Sequence, residues 1–243
     1  MRMQQGTSLA EMLVALVSSS VLILTLMNQY LGVKRHYQRV EHGLETAMDV
    51  QLVYDLMRDS IRQAGFTPCI GVDYLTSIDT RNRRQGLASI EMQSEDGAGF
   101  QISHMNTRYG LLTSQLSQTS WIAKHDMSYL RHASVLISDC YHAEVHTIDD
   151  IRLVNGHSEI TLGQPMVYDY VPPIYIGEWL EEGFFVRQGA LFYSLRHVGK
   201  LSQAINDGSV SLSQHNGKRF VHIELALEKR EKTIQLDTML RNA

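Results

Sequence analysis

The stretch Gly6-Thr7-Ser8-Leu9-Ala10-Glu11-Met12-Leu13-Val14-Ala15-Leu16 opens an apolar run that continues to Leu31, broken by Glu11 and softened by Ser18, Ser19 and Ser20. About 23 apolar-rich residues suffice to cross a bilayer as a helix. A secretory signal peptide is the competing reading. It needs its charge before the run and a small-residue cleavage site after it. No Ala-x-Ala site follows Leu31, and the small residue, Gly6, precedes the run instead.

Beyond Leu31 the apolar pattern keeps helical spacing. Val40, Leu44, Met48, Leu52 and Leu56 fall at every fourth position, and Ala47, Val53, Met57, Ile61 and Ala64 widen the stripe. Arg39, Glu41, Glu45, Asp49, Asp55, Arg58 and Asp59 take the other face, and Gly65 followed by Pro68 is a stop signal. The spacing predicts one helix from Ser8 to Ala64, with Gly32 and Gly43 weakening it by about 1 kcal/mol each. Its first half is apolar nearly all round and its second half on one side only. Such a helix lies half in a membrane or filament core and half on a globular domain.

After Pro68 short strands are predicted. Ala88–Met92 and Phe100–Met105 alternate around a Gly-Ala-Gly turn, and Ala133–Ile137 reads as a buried strand. Three hairpins follow: Ile151–Val154 with Ser158–Leu162 across Asn155-Gly156, Phe184–Arg187 with Ala190–Leu195 across Gln188-Gly189, and Phe220–Leu227 with Thr233–Leu240. Tyr74–Asn82 and Gln164–Gly183 read as loops, the second carrying Pro172-Pro173. A leading helix followed by hairpins gives an α+β fold, with an antiparallel sheet packed on the helix.

Glu11 is the residue that asks for a reason, because an ionisable side chain inside an apolar span is costly. One reading puts it at the membrane edge, reaching water. The other supplies a cation. Cleavage after Gly6 makes Thr7 an N-terminal ammonium, and one subunit's ammonium could neutralise another's carboxylate and fix axial register.

The segment Gly6–Leu16 resembles the prepilin signal of type IV pilins, which has a Gly before the cut, a Glu at the fifth mature position and a hydrophobic helix after it. By that resemblance Gly6 and Thr7 flank the prepilin peptidase cut, Thr7 is the N-methylated residue, and Glu11 is the assembly glutamate. The chain departs from the family at Thr7, usually Phe, and at Ala10, usually a large aliphatic. The segments Leu56–Phe66, Val135–Cys140, Phe184–Phe192 and Leu240–Asn242 resemble those of PilW-type minor pilins. The resemblance implies a type IV pilin-like fold with a leader at residues 1–6 and a transmembrane or filament-core half-helix at 7–32. An amphipathic half-helix at 33–65 and a periplasmic sheet domain at 66–243 that packs with it complete the chain. It implies a non-catalytic subunit that primes pilus assembly and sits near the tip. Its partners would be other minor pilins, the major pilin, the prepilin peptidase, the inner-membrane assembly platform and inner-membrane lipid. A GspJ-like minor pseudopilin of type II secretion is the second reading, and a single-span periplasmic enzyme the third.

The two cysteines, Cys69 and Cys140, fit a periplasmic domain, where they would be oxidised to a disulfide, two buried free thiols being the alternative. The charges disagree: Arg2 precedes the span, whereas Lys34, Arg35 and Arg39 follow it, and the positive-inside rule alone puts the C-terminal domain in the cytoplasm. The resemblance and the cysteines point to the periplasm. A net charge of −4 gives no global pull toward nucleic acid, and none is expected as a specific partner. Arg81, Arg83 and Arg84 cluster near a loop, most simply a solvated face. The eleven histidines are scattered, and no metal or other cofactor is expected. There is no phosphate loop, no His-Glu-x-x-His and no nucleophile elbow.

Overall fold

A computed structural model describes residues 9–93, 99–123, 130–154, 157–216, 218–227 and 230–240. One helix, α1 (Leu9–Gln63), leads the chain. It ends at the predicted stop. Gly65 adopts φ 69°, a left-handed conformation that glycine tolerates, and its N–H donates to the Ser103 carbonyl. The chain divides into two compact units at Asp49 and Val50.

The strands of the second unit are β1 (Thr76–Asp79), β2 (Arg84–Gln85), β3 (Ile90–Gln93), β4 (Gly99–Gln115) and β5 (Ser120–Ala123). Then come β6 (Ser134–Ser138), β7 (His142–Val154), β8 (His157–Leu162), β9 (Ile174–Arg187), β10 (Ala190–Ser194) and β11 (Val198–Ser202). These form one sheet, antiparallel except where β1 runs parallel to β7. The last three, β12 (Ile205–His215), β13 (Lys218–Leu227) and β14 (Arg230–Met239), form a separate antiparallel sheet. The molecule is α+β, a long apolar helix followed by a large β domain.

Six strands of the larger sheet close on themselves. β4 pairs with β5, β5 with β8, β8 with β7, β7 with β6, β6 with β9 and β9 with β4, always antiparallel. Each strand sends apolar side chains into one buried cluster: Leu112, Trp121, Val135, Ile148, Ile160 and Ile176. So small a barrel is filled by side chains and has no lumen. β4 and β9 continue beyond it. Their register shifts between Met105 and Tyr109, and past this bulge the same pair supports β3, β10 and β11. Phe100, Ile102, Phe184 and Leu191 on the extension meet Val53, Met57 and Ile61 of α1 and Val221 and Ile223 of the small sheet in a second cluster. Each such buried side chain contributes about 2 kcal/mol.

The three predicted hairpins form, and Gln188 and Gly189 both take positive φ, as a two-residue type I′ turn requires. The Asn155-Gly156 turn lies outside the described residues, as does most of the Gly-Ala-Gly turn. Two predicted loops are corrected. Tyr74–Asn82 contains β1, whose buried residues, Ser77 and Asp79, are polar. Gln164–Gly183 contains the first ten residues of β9, where Glu182 is buried. Glycine at 177 there leaves room for Met105, whose Cγ would lie 2.5 Å from an added Cβ.

The buried stripe of α1 is also narrower than expected. Val53, Met57, Ile61 and Ala64 are at most 1% exposed, whereas Val40, Leu44, Met48 and Leu52 are all more than half exposed. A strict four-residue step drifts by about 40° each time around a 3.6-residue helix, so that row spirals off any one face. The 53-57-61-64 row corrects the drift with a step of three.

Candidate assembly surface

From Leu9 to Met48 the large apolar side chains of α1 are exposed, with Leu31 alone half-buried. The helix is long and apolar enough to cross a membrane. Its hydroxyls suit an apolar medium. Ser19 and Ser20 both donate to the Leu16 carbonyl at 2.9 and 2.8 Å, and Thr25 donates to the Leu22 carbonyl at 2.8 Å. Glu11 stands in the first turn of the described helix. Gly6 and Thr7 lie outside the described residues, so the predicted cleavage and methylation positions have no described geometry.

The predicted cysteines come together. Cys69, six residues past the end of α1, is bonded to Cys140, which follows β6, with Cα atoms 5.4 Å apart and a sequence separation of 71. Closing so long a loop contributes about 4 kcal/mol through the unfolded chain. It anchors the segment leaving the helix to the barrel wall.

Two buried His–Glu pairs were missed in the sequence. On β4 and β9, His104 Nε2 lies 3.0 Å from Glu182 Oε1 and His104 Nδ1 lies 3.1 Å from the Met105 carbonyl. Both ring nitrogens face acceptors. Ser60 of α1 and Tyr193 of β10 donate their hydroxyls to the same carboxylate. Burial pushes the Glu182 carboxyl up, but the hydrogen bonds of His104 and Ser60 and the attraction of His104 outweigh it, and the net shift is down. Glu182 thereby ties the last turns of α1 to two strands. On β7, His146 Nε2 lies 2.8 Å from Glu144 Oε2, and Glu144 also accepts the Val167 and Tyr168 N–H groups. Its pKa too is lowered, with burial opposed by His146 and the two peptide N–H groups. His104 and Glu182 are 78 residues apart, so no local pattern announces them. Glu144 and His146 share one face of a single strand, and that signal was present.

Within the basic cluster Arg83 and Arg84 are exposed, as a solvated face requires, whereas Arg81 is partly buried. Arg81 is gripped by Asp79 at 2.8 Å and by Glu181 at 2.8 Å, and Arg84 pairs with Glu91. Burial works against the Arg81 charge, yet the two carboxylates hold its pKa above the ordinary arginine value. Beside it lies a groove of about 320 Å³ lined by residues 130–134 and 178–181 with Leu195 and Arg196. Its charged groups pair with one another or with neighbours: Arg196 with Glu178, Arg131 with Asp150.

No family model, curated protein or solved structure matches the chain. Among the described residues no group of three or more His, Cys, Asp or Glu side chains could hold a metal ion. The internal carboxylates tie elements together, and the large apolar side chains of residues 9–48 are left exposed. In water that surface is unfavourable at about 25 cal/mol per Å². It calls for lipid or for other apolar helices.

Proposed function

We propose that the chain is a PilW-like minor pilin, processed between Gly6 and Thr7, anchored in the inner membrane with its β domain in the periplasm, and then drawn into a type IV pilus near its tip. The observation that carries this reading is the contrast along α1: exposed apolar side chains from Leu9 to Met48, and a buried row from Val53 to Ile61. Such a helix can exchange lipid for the helices of neighbouring subunits without disturbing the domain that selects them. The prepilin-like residues Gly6, Thr7 and Glu11 support it, as does the disulfide, which suits an oxidising compartment.

In this mechanism the Thr7 ammonium of one subunit neutralises the Glu11 carboxylate of another as the helices stack, which sets axial register. Glu11→Gln keeps the size and removes the charge. Stranding one partner of a buried pair costs about 3–5 kcal/mol. The variant is therefore expected to be processed and folded but poorly crosslinked to its partner pilins in intact cells. Wild-type crosslinking and surface pili with Glu11→Gln would remove the register role.

A further inference from the structure

The small sheet carries a hydrogen-bonded Ser–His–Asp relay on its open face. Its three strands are held in register with His222 opposite both Ser211 and Asp237. His222 Nδ1 lies 2.6 Å from Asp237 Oδ1, and His222 Nε2 lies 2.6 Å from Ser213 Oγ. A carboxylate can only accept, so Nδ1 is the donor to Asp237, and the tautomer that carries its proton there leaves Nε2 bare. Nε2 then has its lone pair toward the Ser213 hydroxyl. This is the order of parts that makes a serine nucleophilic: base on the hydroxyl, carboxylate fixing the tautomer of the base. The His222 side chain is 40% exposed and that of Asp237 66%, so the relay is open to reagents from solution.

We propose that Ser213 is an acylation site, a base-assisted serine that takes an acyl group from an activated ester. Ser213 Oγ attacks the ester carbonyl carbon and its proton passes to His222 Nε2. The bond from that carbon to the leaving alkoxide breaks, and the alkoxide takes the proton from His222. The products are the Ser213 ester and the free alcohol. The neighbouring row selects the acyl group. Phe220 stands opposite Ser213 and Met239 opposite Phe220, an apolar strip beside the nucleophile that fits a hydrophobic acyl chain. The peptide N–H groups of paired strands lie in the sheet plane and point along it. They do not converge on an oxyanion above the face, so the site favours a single acyl transfer over rapid turnover. The inference stands independently of the assembly reading, because it uses the small sheet alone.

The strand contains its own controls. Ser209 and Ser211 share the face with Ser213 and are as open, but the bond to His222 Nε2 belongs to Ser213. The full chain in detergent is treated with p-nitrophenyl butyrate, and butyrylated serines are quantified by peptide mapping over time. Ser213 should acylate at least about a hundredfold faster than Ser209 or Ser211, the low end of general-base assistance. His222→Gln should bring Ser213 down to their level, and Asp237→Asn should give an intermediate rate, each with an unchanged thermal melt. Equal labelling of the three serines in the unmutated chain, or a Ser213 rate unchanged by His222→Gln, would overturn the proposal.

Discussion

Residues 9–49 and 50–63 belong to one continuous helix, yet they answer to different surroundings. The first stretch exposes nearly every large apolar side chain it has, while the second buries Val53, Met57 and Ile61 against β strands and gives Ser60 to a buried carboxylate. Helical propensity does not separate them. What separates them is the phase of the apolar residues and whether polar groups find partners inside the domain. A helix can thus be built for two environments by sequence alone, one fixed in the folded domain and one, on the function proposed above, supplied by lipid or neighbouring subunits.

The largest effect is expected from cutting the tie just past the helix. Both tryptophans, Trp121 and Trp179, are buried in the β domain, so their fluorescence follows that domain alone. Cys69→Ser with Cys140→Ser should lower its unfolding free energy by about 4 kcal/mol in urea titrations. An unchanged midpoint would mean that the bridge constrains nothing. Next comes Met57→Ala, expected to cost about 3 kcal/mol in the same assay because the side chain is 1% exposed. Met48→Ala, at 65% exposure, should leave the midpoint where it was. If the two methionine variants behaved alike, the contrast between the stretches would be broken.

A smaller effect comes from acid. The carboxyls of Glu182 and Glu144 have lower pKa values folded than their ordinary 4.5, so the folded chain binds fewer protons there. Their stabilisation is fully present above about pH 5 and is lost as pH falls through 4.5 toward the folded values. Thermal midpoints should therefore drop below pH 4.5, and Glu182→Gln should show a shallower drop. Parallel acid profiles for the two proteins would exclude Glu182 as a source.

The helix and the three hairpins were legible because their signals are local: apolar phase, Gly65, and two-residue turns such as Gln188-Gly189. β1 and the start of β9 were not, because their buried faces include Ser77, Asp79 and Glu182, which a hydrophobic pattern counts as solvent-facing. Barrel closure was illegible for a different reason. It depends on β9 pairing with both β4 and β6, over sequence separations that no window spans. Among the candidate residues, the disulfide partners were named and the structure joins them. The Ser213–His222–Asp237 relay escaped because its members come from three strands and follow no spacing rule.

If residues 9–48 serve a processed pilin, as proposed, the N-terminus of the native protein must show it. Mass spectrometry of the chain from membrane and pilus fractions should find a mature form beginning at Thr7. An intact Met1, or a cut beyond Leu31, would contradict the account.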